Sequence, residues 1–192
     1  MRQVVFASSN AGKIKELQAL LGEGWVVKSA ADFPQIPEVL EDADSFEGNS
    51  AKKAHTFAKA TGLWALADDS GLVVDALEGR PGVYSARYAP TEAERIDKLL
   101  AELKTVPAPR TARFKCVLCL ASAAGEAFFA EGTCEGVIGF ECKGSQGFGY
   151  DPVFVLPNGK TMSELSRDEK SAISHRGQAF RAMLPRLLAA QR

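Results

Sequence analysis

Along the chain, short apolar runs of strand character alternate with stretches whose apolar residues recur every three or four positions. RQVVFAS, residues 2–8, predicts a strand that enters the polar turn SNAGK and then a helix, KIKELQALLG, stopped at Gly22. VVKSA predicts a second strand. The acidic stretch PQIPEVLEDADSFEG follows as a loop, since its two prolines forbid a long helix. NSAKKAHTFAKATG predicts a helix with Asn49 or Ser50 as N-cap and Gly62 as its stop. The apolar run LWALA then ends at two adjacent aspartates, Asp68 and Asp69, and LVVDAL resumes beyond Ser70 and Gly71.

Further along, EGRPGVYSARYA reads as a turn. TEAERIDKLLAELK is a helix opened by the capping box Thr91 to Glu94, with Ile96, Leu99, Leu100 and Leu103 on one face. Residues 112–122 and 126–140 alternate as an antiparallel hairpin around AAGE. The tail carries a glycine-rich loop, GSQGFGYDPVF, the turn PNGK, a capping box from Ser166 to Glu169, and a last helix beginning near Ser174. Strand-turn-helix units at one end and a hairpin in the middle predict an α/β fold, a mixed sheet flanked by helices.

Composition narrows the functional classes. At 192 residues and 46% hydrophobic content, the chain can bury a core as one domain with two lobes, without disulfide or metal staples. With 23 basic against 24 acidic residues, it has no field to attract nucleic acid or an anionic membrane. No apolar run approaches a bilayer-spanning length, and the N-terminus lacks the h-region of a signal peptide, so a cytoplasmic location is expected. Cys116 and Cys119 form a C-x-x-C, but within a strand residues three apart face opposite ways, and no second ligand pair follows. The four cysteines are expected to be ordinary thiols.

Chemistry concentrates in a few places. The SNAGK turn opens a helix, where backbone N–H groups and the helix dipole favour an anion, and Lys13 adds a full charge. It is not a P-loop, which would need glycine at Ala7 and Ser or Thr at Ile14. Lys52 and Lys53 fall in the first turn of their helix, the wrong end for a cation, so one of them should have an anionic partner. At a strand end Asp68 and Asp69 face opposite sides. One can then look into a cleft while the other turns to backbone N–H groups or a basic side chain. Carboxylates here and in the acidic loop are the hard oxygens that Mg2+ prefers. Phe148 and Tyr150 stand between glycines, suited to stacking on a base, and His175 with Arg176 opens the last helix as a fork of donors.

Taken together, SNAGK, DADSFEGNSAKKA, ADDSGLVVDAL with GRPGVYSARYA, GFGYDPVF and EKSAISHRGQA resemble, in order and over nearly the whole chain, the inosine triphosphate pyrophosphatase family, and most of all its bacterial dITP/XTP type. The resemblance implies a long twisted mixed sheet with two lobes around a nucleotide cleft, usually a homodimer. It also implies Mg2+-dependent hydrolysis of ITP, dITP or XTP to the monophosphate and pyrophosphate, clearing deaminated purines from the nucleotide pool. By position it makes Ser8, Ser9, Asn10, Ala11, Gly12 and Lys13 the triphosphate turn and Lys53 a second phosphate contact. Glu41 and Asp69 become metal-site carboxylates, with Glu38, Asp42 and Asp44 competing for the role of Glu41. Asp69 also becomes the acceptor of the attacking water's proton. Ser70, Phe148, Gly149, Tyr150, Asp151, Lys170, His175 and Arg176 complete the substrate contacts, Phe148 as the stacking partner. Ser9 departs from the pattern, standing where many relatives have glycine. A pyrophosphatase of the related Maf type and a catalytically silent nucleotide-binding protein are the alternatives. SHRG together with FGYD speaks against the first, and the intact set of Lys13, Lys53 and Asp69 against the second.

Overall fold

The computed structural model describes residues 2–190 and, of Arg167, the backbone alone. Six strands, β1 (Arg2–Phe6), β2 (Trp25–Ser29), β3 (Ala65–Val74), β4 (Thr111–Ala121), β5 (Ala127–Ile138) and β6 (Phe154–Val155), form one sheet in the order β2-β1-β3-β4-β5-β6. β1 pairs parallel with both β2 and β3, and β5 pairs antiparallel with β6, so the sheet is mixed as expected. The flanking helices are α1 (Ala11–Leu21), α2 (Phe46–Thr61), α3 (Glu92–Glu102), α4 (Arg167–Ile173) and α5 (His175–Ala189).

The chain divides into two compact units. The first takes in the chain up to Asp69, Cys116–Gly132 and the chain from Arg176; the second is Ser70–Lys115 with Thr133–His175. In the first unit the period-two alternation of β1 and β3 sorts side chains onto two faces. Val4, Phe6 and Leu66 pack with Leu17 of α1 and with Ala179, Phe180, Met183 and Leu187 of α5. Val5, Ala65 and Ala67 pack instead with Ala54, Phe57 and Ala58 of α2. Cys116 belongs to the first cluster and Cys119 to the second, the opposite-facing placement expected of the C-x-x-C, and burial pushes the Cys119 thiol up to about 12. The second unit is built around Leu72, Val74, Ile96, Leu99, Leu103, Phe114, Phe154 and Met162.

Two element boundaries that bear on the charged residues differ from those expected of the sequence. β3 does not end at the aspartates but runs through them from Ala65 to Val74, because each carboxylate finds a partner inside the fold and the pair no longer has to sit in a turn. α2 begins three residues earlier than the expected Asn49, since the Ser45 hydroxyl caps it by accepting from Gly48 N at 3.1 Å. Lys52 and Lys53 thereby move out of the first turn, and Asn49 becomes an interior residue.

Candidate active site

Strand parity decides what each aspartate meets. Asp68 continues the face of Leu66, the side of α1 and α5, and there Lys13 Nζ lies 2.6 Å from its Oδ2 and Arg176 Nε 3.5 Å. Asp69 continues the face of Ala67, the side of α2, and its Oδ2 accepts from Asn49 Nδ2 at 3.0 Å. Both side chains are buried, at 2% and 7% exposure. Their protonation behaviour diverges accordingly. Burial by itself would raise the Asp68 carboxyl, but the charges of Lys13 and Arg176 outweigh it and hold the group well below the usual carboxylate range. Burial lifts the Asp69 carboxyl to about 6, against the hydrogen bond from Asn49 and the charge of Lys53, and the negative charges of Glu41 and Asp68 add to the rise. One carboxylate is thus a fixed anion bonded to α1 and α5, and the other is poised to exchange a proton near neutrality.

The acidic segment before α2 supplies partners for both lysines. Lys53 Nζ is 2.6 Å from Glu41 Oε1, and Lys52 is paired with Asp42. Of the acids between 38 and 44, Glu41 has a charge that acts directly on Asp69 and raises its carboxyl. Glu41 and Asp69 can serve as the carboxylates of a Mg2+ site. Their mutual repulsion is what a divalent cation would relieve, and Mg2+ is held by one or two carboxylates with water and phosphate oxygens completing the shell. Among the described residues no group of three or more His, Cys, Asp or Glu side chains is placed to hold a metal ion.

The turn before α1 is more occupied than the sequence suggests. Asn10 Oδ1 accepts from Gly12 N at 2.9 Å and Lys13 N at 3.1 Å, and Ser8 Oγ accepts from Asn10 N at 3.2 Å. An anion arriving at Ser8–Lys13 would therefore have to displace the Asn10 side chain from those N–H groups or bind beside it. Ser9, Asn10, Ala11 and Gly12 are all exposed.

In the second unit Phe148 is 59% exposed, whereas Tyr150 is buried and donates its hydroxyl to the Ser85 carbonyl at 2.9 Å. Tyr150 is an anchor of the loop, and Phe148 is its free ring. Asp151 is buried too. Its Oδ2 accepts from Phe148 N at 2.9 Å and is paired with Lys170, whose Nζ lies 4.8 Å from the Phe148 ring centroid. A Cβ at Gly147 would run into that carboxylate, and the residue's φ of +87° also favours glycine. Gly149 has a positive φ as well, +63°. Asp151 and Lys170 thus shape the loop that presents Phe148. His175 stacks on Phe114, with centroids 5.2 Å apart and planes 19° from parallel. Ser70 is half-buried, one residue beyond Asp69 on β3.

The Arg176 guanidinium meets Asp68 at 3.5 Å and Glu16 of α1 at 3.9 Å, within the first unit. Asn49 was legible only as a cap. The signal that could have found it is Ser45, an equally good cap four residues upstream, which leaves an asparagine stranded in a helix interior.

A mixed-sheet α/β protein that sets a proton-exchanging carboxylate beside a second carboxylate and a lysine carries the equipment of phosphoanhydride chemistry. The chain belongs to the Ham1 family, whose model matches residues 4–186. It is 50% identical over 188 residues to the dITP/XTP pyrophosphatase of Shouchella clausii, covering 95% of each chain, and 50% identical over 187 residues to that of Geobacter sulfurreducens, covering 94% of each. Among solved structures, the HAM1 protein of Coxiella burnetii superposes with a TM-score of 0.92 at 42% identity, covering 98% of this chain and 99% of that one. The Ham1 protein of Staphylococcus aureus gives 0.91 at 37%, over the full length of both chains.

Proposed function

We propose that the protein is a nucleoside triphosphate pyrophosphatase that hydrolyses dITP, XTP and ITP to the monophosphate and pyrophosphate, and so clears deaminated purines from the nucleotide pool. The observation that carries this reading is Asp69, a buried carboxylate lifted to about 6 beside Glu41 and Lys53, in a chain half identical to proteins named dITP/XTP pyrophosphatase. Asp69 accepts the proton of the water that attacks the α-phosphorus, and at neutral pH it is ionised and able to do so. Lys13 and Lys53 bind phosphate oxygens, exchanging part of their present pairing with Asp68 and Glu41 for the substrate's charge. Mg2+ on Glu41 and Asp69 would neutralise charge on the leaving pyrophosphate. Phe148 offers its exposed face to the base, with His175 as a hydrogen-bonding group, and Ser70, Asp151 and Lys170 support these contacts. The homodimer and the cytoplasmic location belong to the same reading.

A base with a 6-oxo group and N1–H presents an acceptor and a donor, the reverse of adenine, and a mismatched partner costs about 1 to 3 kcal/mol. The test is pyrophosphate release from dITP, XTP, ITP, ATP, GTP, CTP and UTP, each with Mg2+ and with EDTA. Release from the first three in the presence of Mg2+ is expected. Specificity constants for ATP and GTP as high as those for dITP and XTP, or no release from dITP and XTP, would overturn the assignment.

A further inference from the structure

Asn49 is fully buried just past the first turn of α2, and it is an awkward residue for that place. Asparagine is among the poorer helix formers, and a buried amide needs a partner at each end. Both ends are used here. Oδ1 accepts from the backbone N–H of Ala43 at 3.0 Å, and Nδ2 donates to Asp69 Oδ2 at 3.0 Å. These demands are opposite, since an N–H needs an acceptor and an ionised carboxylate needs a donor. A side-chain amide answers both, with one atom for each. An aspartate would set an acceptor against Asp69, and a leucine of similar shape would answer neither.

A separate contact shows the acidic segment seated on the helix at this point: a Cβ added to Gly48 would come within 2.7 Å of the Ala43 Cβ. Ala43 lies two residues after Glu41. The Asn49 amide therefore spans from the segment that carries one candidate carboxylate to the strand that carries the other.

We propose that Asn49 is a positioning residue that ties the acidic segment to β3, so that Glu41 and Asp69 stand as a pair before any metal or substrate arrives. The proposal rests on the reading of those two side chains as the carboxylate site. Asn49 acts through Ala43 and Asp69 and touches no substrate.

Asn49→Leu and Asn49→Asp, compared with the parent protein, test it in two ways. The first is hydrogen exchange of residues 41–45, read by mass spectrometry on metal-free protein in EDTA. Leucine removes the acceptor of the Ala43 N–H, so exchange there should accelerate ~10-fold or more, while aspartate keeps an acceptor and should stay within ~3-fold of the parent. The second is steady-state kinetics on dITP with Mg2+. Both variants lose the donor to Asp69, so kcat should fall ~10-fold or more with KM within ~3-fold, because the phosphate-binding lysines are untouched. Should the leucine variant fail to fold, the aspartate variant carries the kinetic test. Parental kcat in Asn49→Asp, a loss confined to KM, or unchanged exchange in a folded Asn49→Leu would each overturn the proposal. If the parent releases no pyrophosphate from dITP or XTP, the functional reading fails, and the exchange measurement still decides whether Asn49 holds the segment.

Discussion

Replacing Asp69 by asparagine should abolish pyrophosphate release and, at the same time, make the metal-free protein more stable at neutral pH. The side chain is 7% exposed, and its carboxyl moves from an ordinary 3.8 to about 6 in the fold. At about 1.4 kcal/mol for each tenfold change in proton affinity, keeping Asp69 ionised costs the fold about 3 kcal/mol. The sign follows from the folded value lying above the unfolded one. The favourable contribution of Asp69 is fully present below pH 3.8 and is lost as pH rises through 6. Asp69→Asn keeps the volume and an oxygen to accept from Asn49, and it carries no charge to lose. Its gain over the parent should therefore be about 3 kcal/mol at pH 7.5, about half that at pH 5, and close to nothing at pH 3. Urea unfolding in EDTA at the three pH values measures it. A lower unfolding midpoint for the variant at pH 7.5, or a gain independent of pH, would refute the account of Asp69 as a buried charge held at a cost for catalysis.

Lys13→Met takes from the 2% exposed Asp68 the cation 2.6 Å from its Oδ2 and leaves Arg176 at 3.5 Å, and a broken buried pair costs about 3 kcal/mol. The loss, read by urea unfolding at pH 7, should be largely recovered by adding Asp68→Asn, and a loss below about 1 kcal/mol would show the pair to be solvated. Arg176→Ala should lower turnover on every nucleotide alike, since the guanidinium bonds to Asp68; a changed ratio between ITP and ATP would place it against the base. Tyr150→Phe removes the hydroxyl that donates to the Ser85 carbonyl and should cost about 1 kcal/mol of stability with the dITP to ATP ratio unchanged. An altered ratio would make Tyr150 a substrate contact.

Much of the site was legible because its elements are local. The turn at SNAGK, the apolar period of the helices and the strand alternation around ADDSG depend on residues near one another in sequence, and each is present in the fold. The opposite facing of Asp68 and Asp69 is a property of any extended backbone. It was available from the sequence even though the strand proved to run on to Val74. What the alternation could not supply was the identity of the partners. Lys13 and Arg176 lie 55 and 108 residues from Asp68 along the chain, and Asn49 lies 20 from Asp69. Only the packing of α1 and α5 on one face of β3 and of α2 on the other brings them there. The same packing turned Asn49 from a cap into a buried bridge, while in the second unit the Ser85 carbonyl and Lys170 hold Tyr150 and Asp151 within the loop that presents Phe148. Sequence determined which residues could carry charge and which way a strand would turn them. The tertiary fold decided which carboxylate met fixed cations and which met an amide beside a second acid, and that difference in surroundings holds one below the usual carboxylate range and lifts the other to about 6.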